Sequence, residues 1–461
     1  MRTRSWLRSH DMSIEGGQPA RVRSIAEDEE EIVSYQGNNP GVGSPLSRRA
    51  AVAMGMALAA GSTLGAGSGR PAYAAPLRQA TPVAGAPGEQ ADAIVAIARE
   101  IMEQQAVKAV ILRVTIDGQE VVTEALGESM TGVPATTEMH FRNGAVAISY
   151  MSTLLLQLVD QQVVGLDDPI ATWLPDLPDA DQVTLRMLAN MTAGYPDFVQ
   201  NAGFIQALYE DPFRQWTPEE QIAVGLSTPR VFAPGTNWDY SHTNYVILGQ
   251  ALEKITGQPL DVALQEQVLG PMGLRNTVAW STPEITEPVL HAFSSERRQP
   301  LGIPTGTRFY EESTYWNPSW TLAQGAIQTT DIVDMTTSAV AIGEGTLLSP
   351  ESHQAQVAPD LLGFGKPLEG CPNCHTLDET YNYGLGVVLT GDWIVQNPLF
   401  AGCGGVMAYL PAQKIAIGVA TTFDEGAFDD QGNYRYSSHT EIFAAIGTAL
   451  APDHPLPTPR G

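Results

Sequence analysis

The stretch Phe141-Arg142-Asn143-Gly144-Ala145-Val146-Ala147-Ile148 leads into an apolar segment that predicts a central helix. A glycine-containing entry at Gly144 is followed by apolar residues at helical spacing. The segment closes with Leu166-Asp167-Asp168-Pro169 and then Trp173-Leu174-Pro175. The apolar positions in the helix are Leu154, Leu155, Leu156 and Leu158.

This segment resembles the catalytic helix of the serine β-lactamase and penicillin-binding-protein-like family, closest to its class C and esterase-type members. In that family the helix opens with Ser-x-x-Lys, whereas here the two positions hold Ala145 and Ile148. A serine hydroxyl needs a base to take its proton, and residues three apart share one helix face. The methyl group of Ala145 cannot act as the nucleophile, and the sec-butyl group of Ile148 cannot act as the base. None of the four lysines has Ser or Thr three residues before it: Lys108, Lys254, Lys366 and Lys414.

The resemblance covers roughly residues 91–422 and rests on several stretches in the family's order. It implies an α+β fold of the β-lactamase/DD-peptidase type, in which an antiparallel sheet built from both termini is flanked by helices. A mostly helical subdomain is inserted at about 141–285. The matching stretches are 183–194, 234–245, 271–274, 323–331, 347–352, 383–386 and 407–411.

Periodicity and composition predict the same architecture independently. A first helix is expected over 91–105, and a β-hairpin over 110–126 turns at Asp117-Gly118. Strand-like composition returns near the C-terminus, and an amphipathic helix is expected over 438–450. Strands at both ends with helices between them predict one domain. The C-terminal strands are expected at 383–390, 392–396, 405–410 and 414–421.

The other two family motifs are also altered. The second motif of active relatives supplies a tyrosine and an asparagine, and here those positions hold Tyr240 and His242. The third, Lys-Thr-Gly or His-x-Gly, falls on Gln396-Asn397-Pro398, where proline lacks the N–H of a strand ladder. No residue is therefore assigned a catalytic role. Asn143, Tyr240 and His242 are expected to border the cleft, where they either bind a ligand or satisfy one another.

Cys371-Pro372-Asn373-Cys374-His375 is the remaining motif that could carry chemistry. Cys-x-x-Cys-His is typical of c-type haem attachment, and Cys403 offers a third sulfur to a zinc ion. The favoured interpretation is a disulfide between Cys371 and Cys374 that closes a surface loop, without metal or cofactor. Ser149, one turn beyond Ala145, has no basic partner at helical spacing and is expected to bond back to a carbonyl.

The N-terminal region is typical of an export signal. Residues 1–47 are predicted to be a disordered extension, and 48–74 a Tat-like signal peptide that follows twin arginines and ends at Ala72-Tyr73-Ala74. Residues 75–90 are expected to be a linker, 91–450 the main domain and 451–461 a tail. The apolar run is too short for a membrane span, so no stable span is expected after cleavage. The predicted location is extracellular or in the cell envelope.

A net charge of −26 argues against nucleic acid or anionic membranes as partners. The sequence predicts an exported member of this family that has lost acyl-enzyme chemistry and binds a peptide, a cell-wall fragment or a partner protein. The alternative is an active esterase, DD-peptidase or β-lactamase type of serine hydrolase with its nucleophile at a new position. A third hypothesis places a metal or haem at Cys371, Cys374 and His375. The oligomeric state stays open.

Overall fold

The computed structural model describes residues 87–279 and 282–457. The predicted disordered extension, the signal peptide and the linker as far as residue 86 lie outside the described residues. Helix α1 (Pro87–Gln104) begins inside the segment predicted as a linker. The fixed φ of proline suits the first turn of a helix, which explains the earlier start. Within the described ranges, the helices are all too short or too polar to cross a membrane.

The N-terminal strands form the predicted hairpin. Strands β1 (Val107–Ile116) and β2 (Gln119–Met130) pair antiparallel, and β3 (Val133–Pro134) extends the sheet beside β2. Asp117 and Gly118 both have positive φ, at 48° and 73°. Two positive φ values in a two-residue loop match the twist of the strands they join, so the Asp-Gly turn prediction is confirmed.

The middle of the chain is largely helical. Strand β4 (Phe141–Arg142) leads into α2 (Val146–Asp160), and α6 (His242–Thr256) ends at Gly257, whose φ of 70° fits the left-handed position that closes a helix. A π-helical turn, Gln265–Leu269, follows α7 (Leu260–Leu264). The remaining elements of this region are α3 (Leu185–Ala189), α4 (Ala202–Glu210), α5 (Pro218–Gly225), α6 (His242–Thr256), α7 (Leu260–Leu264), β5 (Val278–Ala279), β6 (Phe293–Ser294) and β7 (Glu311–Glu312).

The chain then returns to the sheet. Strand β8 (Gln328–Thr330) pairs with β4 and β5 in a small separate sheet, and β6 pairs with β7. The elements that follow are α8 (Ile332–Gly343), α9 (Pro350–Val357), β9 (Asn382–Tyr383), β10 (Val388–Thr390), β11 (Trp393–Gln396), β12 (Leu399–Phe400), β13 (Cys403–Leu410), β14 (Ile415–Phe423) and α10 (Ser438–Leu450).

The main sheet has nine strands in the order β3-β2-β1-β14-β13-β11-β10-β9, with β12 beside β13. The N-terminal β1 pairs with the C-terminal β14, so the predicted antiparallel sheet built from both termini is confirmed. Helices cover both faces of its centre. A β-carbon on Gly404 would meet His439 of α10, and one on the next residue, Gly405, would approach Met335 of α8. Successive strand residues point to opposite faces, and this explains why β13 and β14 are almost entirely apolar.

The described part of the predicted tail, residues 451–457, packs against the β10–β11 turn. Trp393 Nε1 donates a hydrogen bond to the carbonyl of His454 at 3.2 Å. His454 Nδ1 lies 2.7 Å from a carboxylate oxygen of Asp392. These contacts attach the Pro-rich segment to the same domain as helix α10.

Candidate active site

The entry to helix α2 is fixed by strand β8. The side chain of Asn143 donates to Gln328 Oε1 at 2.9 Å and accepts from Gln328 N at 3.3 Å. Gly144 follows with a φ of 49°, and Ala145 precedes the first helical residue without a side-chain cap. The predicted ligand-binding amide of Asn143 therefore bonds to the small sheet. It does not bond to Tyr240 or His242.

Ala145 and Ile148, which the family resemblance predicts at the serine and lysine positions, both lie in the hydrophobic core. Their exposed fractions are 8% and 1%. The hydroxyl of Ser149 donates to the carbonyl of Val146 at 2.6 Å, as the sequence predicted for this residue. Ser152, the next serine of the helix, shares a 2.8 Å hydrogen bond with the hydroxyl of Tyr245. Both serine hydroxyls therefore hydrogen-bond to oxygen atoms, and neither of these bonds is to a basic nitrogen.

The predicted third motif lies directly opposite this helix entry. Gln396 is the last residue of β11, is buried, and donates from Nε2 to the carbonyl of Gly386 at 2.7 Å. Pro398 interrupts the strand between β11 and β12, as expected of a residue without an N–H. A β-carbon on Gly144 would lie 2.6 Å from Cβ of Pro398 and 2.7 Å from Cε1 of Phe400. The segment after β11 therefore packs tightly against the start of α2.

The second motif ends at the N-terminus of helix α6. The ring of Tyr240 packs edge-on against His242 at 5.4 Å between centroids, and against Tyr383 at 6.1 Å. Burial, helped by neighbouring tyrosines and Asp197, raises the pKa of Tyr240 well above its ordinary value. A phenol in that state stays protonated at neutral pH. Ser241 is buried, and its hydroxyl has no hydrogen-bond partner among the described residues.

Asp197 is a site residue that the sequence did not reveal. Its carboxylate lies 3.1 Å from His242 Nδ1 and accepts the backbone N–H groups of His242 and Val199. The residue caps a short 3₁₀ turn, Phe198–Gln200. An Asp before Phe-Val-Gln is a capping signal that sequence alone can detect. Its contact with an imidazole 45 residues away is not, because that contact depends on how α6 packs.

The cysteine loop covers the second motif. The structure joins Cys371 to Cys374 by a disulfide, with a Cα–Cα distance of 5.4 Å. Asn373 donates from Nδ2 to the carbonyl of Tyr240 at 3.2 Å, and the ring of His375 packs edge-on against Trp238 at 5.1 Å. The predicted cysteine loop is therefore part of the wall of the candidate site.

The other predicted sulfur, Cys403, lies elsewhere. It lines a small cavity with Arg142, Trp316 and Phe400. Burial raises the pKa of its thiol to about 12, against the opposing effect of Arg142. Within the described part of the chain, neither Cys403 nor His375 forms a ligand group with Cys371 and Cys374. The zinc set with Cys403 and the metal set with His375 are therefore not assembled among these residues. The disulfide uses the two sulfurs that haem attachment would need.

Comparison with known proteins agrees with the fold described above. A family model described as Beta-lactamase matches residues 94–440, and the chain belongs to that family. Penicillin-binding protein 4 of Amycolatopsis lactamdurans is 34% identical over 154 residues, which are 32% of this chain and 38% of that protein. Esterase EstB of Burkholderia gladioli is 29% identical over 167 residues, 33% of this chain and 42% of that protein. The matched regions thus span less than half of these relatives.

Solved structures share the fold at lower identity. The D-amino acid amidase of Ochrobactrum anthropi SV3 complexed with L-phenylalanine superposes with a TM-score of 0.65 at 21% identity, covering 78% of this chain and 99% of that one. The octameric penicillin-binding protein homologue of Pyrococcus abyssi gives a TM-score of 0.58 at 19% identity, covering 78% of each chain. At this identity the likeness establishes the α+β fold alone.

Proposed function

We propose that this chain is a non-hydrolytic member of the Beta-lactamase family. The observation that carries the proposal is the burial of Ala145 and Ile148, two hydrocarbon side chains at the positions where the sequence resemblance puts the family's nucleophile and base. Loss of a triad serine lowers turnover by about 10⁶ in a comparable hydrolase. A lysine without its serine would be a poorly paired buried charge, whereas isoleucine adds apolar packing. The chain then lacks both groups that acyl-enzyme formation needs, the serine hydroxyl and the lysine amine.

The contacts across the former cleft support the same interpretation. Pro398 and Phe400 approach Gly144 so closely that a single methyl group there would not fit. Gln396, at the position of the family's Lys or His, donates its amide to the carbonyl of Gly386. The amide of Gln396 is thus engaged by the protein itself, and the start of α2 is closely packed against the segment after β11.

We further propose that the chain is exported and binds a peptide-like or cell-wall ligand, or a partner protein, at or near this cleft. The relatives' names supply the ligand class, since they include penicillin-binding proteins and a D-alanyl-D-alanine carboxypeptidase/endopeptidase. Tyr240 and His242 are buried beneath the loop of residues 371–375. We therefore propose that this loop and the two side chains under it form the floor of the binding region. Titration of the purified chain with a D-Ala-D-Ala peptide, followed by calorimetry, tests the ligand class.

Covalent labelling tests the loss of chemistry. We expect a fluorescent penicillin and a fluorophosphonate to leave the wild-type chain unlabelled. The double variant Ala145→Ser with Ile148→Lys restores the two reacting groups, and Ala145→Ser alone is the matched control because it lacks the base. Labelling of the wild-type chain at one serine, mapped by mass spectrometry, would overturn the proposal.

An active hydrolase with a re-sited nucleophile is the second candidate, and the Asp197–His242 pair is the observation that favours it. A buried carboxylate on Nδ1 is how triad enzymes orient the imidazole that acts as base. Such a base also needs a hydroxyl within hydrogen-bond reach, and the contacts found for His242 do not include one. Ester cleavage that disappears in His242→Ala and persists in His375→Ala would favour this candidate over the first.

A further inference from the structure

A buried carboxyl faces the disulfide of the cysteine loop. A carboxylate oxygen of Asp239 and the sulfurs of Cys371 and Cys374 all lie within 4.8 Å of one another, and all three residues are buried. None of the ion pairs found among the described residues involves Asp239. Burial and the nearby charge of Asp197 raise the pKa of the Asp239 carboxyl well above its ordinary value, against the opposing effect of a side-chain hydrogen bond with Asn373. The acid therefore lies in the interior with no basic partner to hold it charged.

The loop is held against Asp239 by contacts that do not involve sulfur. Asn237, two residues before Asp239, accepts from Lys366 N at 2.8 Å and donates to the carbonyl of Lys366 at 3.1 Å. On the other side, Asn373 donates to the carbonyl of Tyr240. These bonds tie the residues on either side of Asp239 to Lys366, which precedes the loop, and to Asn373, which lies between the two cysteines. Because none of them involves sulfur, they can hold the carboxyl beside the loop when the S–S bond is opened.

We propose that reduction of the Cys371–Cys374 disulfide converts this cluster into a binding site for one Zn²⁺ ion, with the two thiolates and the Asp239 carboxylate as ligands. Zinc binds cysteine sulfur at about 2.3 Å and carboxylate oxygen at about 2.0–2.2 Å. Ligands around one tetrahedral ion are then roughly 3.5–3.8 Å apart. The three atoms already lie within reach of that spacing, and a water completes the fourth position.

The chemistry balances with a dithiol as the reductant. The dithiol gives two electrons and two protons to the disulfide, whose S–S bond breaks to two thiols, and the dithiol closes to its own cyclic disulfide. Zinc then displaces to solvent the two thiol protons and the proton of the buried Asp239 carboxyl as the two Zn–S bonds and the Zn–O bond form. Two soft sulfurs select zinc over calcium or magnesium, which prefer oxygen alone.

The structure narrows the ligand set to these three residues. His375 points Nδ1 at the carbonyl of Asn373, 2.7 Å away within its own loop. Cys403 lies in the cavity beside Arg142. Among the described residues, the ligand atoms of neither Cys403 nor His375 join the compact group formed by Asp239, Cys371 and Cys374.

The test uses the full chain in its oxidised form and after reduction with dithiothreitol, which is removed without exposure to air. Zn²⁺ is titrated in competition with a chromophoric chelator. We expect one ion per reduced chain and none for the oxidised chain. Asp239→Asn should weaken binding by at least about tenfold, since even changes to residues behind the ligands typically lose 10–100-fold. The double variant Cys371→Ser with Cys374→Ser should not bind.

Cys403→Ser is the matched control, and it should bind like the wild-type chain. Circular dichroism of oxidised Asp239→Asn checks that this variant folds. X-ray absorption of the zinc-loaded wild-type chain gives a readout that needs no variant, with two sulfur and two oxygen or nitrogen neighbours expected. Equal binding by oxidised and reduced chains, full affinity in Asp239→Asn, or a shell with three sulfurs would each overturn the proposal.

Discussion

His242 Nδ1 lies 3.1 Å from a carboxylate oxygen of Asp197, and both side chains are buried at the start of helix α6. The same carboxylate accepts the backbone N–H groups of His242 and Val199. One acid therefore satisfies an imidazole and two main-chain donors. This arrangement joins the turn after Gly194 to the helix that carries the second motif.

Asp197→Ala should destabilise the fold. The substitution leaves the imidazole N–H and two buried backbone donors without partners, and each such loss costs about 1–3 kcal/mol. We expect the free energy of unfolding to fall by about 3 kcal/mol in urea denaturation. Asp167→Asn is the control, because that carboxylate pairs with Arg186 at an exposed site and its loss should change stability by less than about 1 kcal/mol. Equal effects of the two changes would contradict this account of Asp197.

Gly144→Ala should destabilise the chain more than Gly118→Ala. Both positions have positive φ, but only Gly144 has atoms within 4 Å of the added methyl, namely Pro398 and Phe400. Backbone strain alone is worth roughly 1–2 kcal/mol, and overpacking adds about 1–3 kcal/mol at Gly144. Thermal or urea unfolding of the two variants measures the difference. No difference between them would mean that the start of α2 is not packed against Pro398 and Phe400 as described.

His439 should make the fold sensitive to acid. Burial lowers the pKa of His439 to about 3 from 6.5, and both of its ring nitrogens lack hydrogen-bond partners among the described residues. As the pH falls from about 6.5 towards 3, the unfolded chain takes up a proton that the folded chain rejects. The contribution to stability therefore decreases by about 1 kcal/mol per pH unit across that window.

His439→Gln tests this dependence, because glutamine stays neutral at every pH. We expect the stability difference between the variant and the wild-type chain to shift in the variant's favour as the pH is lowered from 7 to 5 in urea titrations. A difference that is constant with pH would show that the imidazole is not held neutral.

The export prediction has a direct chemical readout. If Ala72-Tyr73-Ala74 is a cleavage site, protein collected from the culture medium or envelope of an expressing bacterium should begin at Ala75. N-terminal sequencing measures this. Arg48→Lys with Arg49→Lys should reduce export if the twin arginines are read, whereas Arg70→Lys should not. A secreted chain that retains residues 48–74 would contradict the signal-peptide hypothesis.

The sheet and its hairpin could be predicted because their signals are local. The Asp117-Gly118 turn between two strand-like runs specifies a hairpin by itself. Residues 438–450 were expected to be helical, and α10 covers Ser438–Leu450. The fold assignment also followed from short stretches in a fixed order, which a chain can retain after its reactive side chains have changed.

The composition of the site was less accessible to prediction. Asp197 reaches His242 only after helix α6 has packed, and Asn143 finds Gln328 across 185 positions of sequence. The meeting of Asp239 with Cys371 and Cys374 is another contact between distant segments. Such pairings depend on tertiary packing, and no residue pattern within one segment encodes them.

The pairing of β1 with β14 also sets a constraint on biosynthesis. On the ribosome, the first hairpin is complete some 300 positions before its central neighbour exists, since β14 spans Ile415–Phe423. Until then one edge of an apolar ladder is unpaired, which is the feature that promotes aggregation of incomplete chains. A product truncated before residue 415 should consequently depend on chaperones. Only when β14 has emerged can β1 pair and the domain fold without such help.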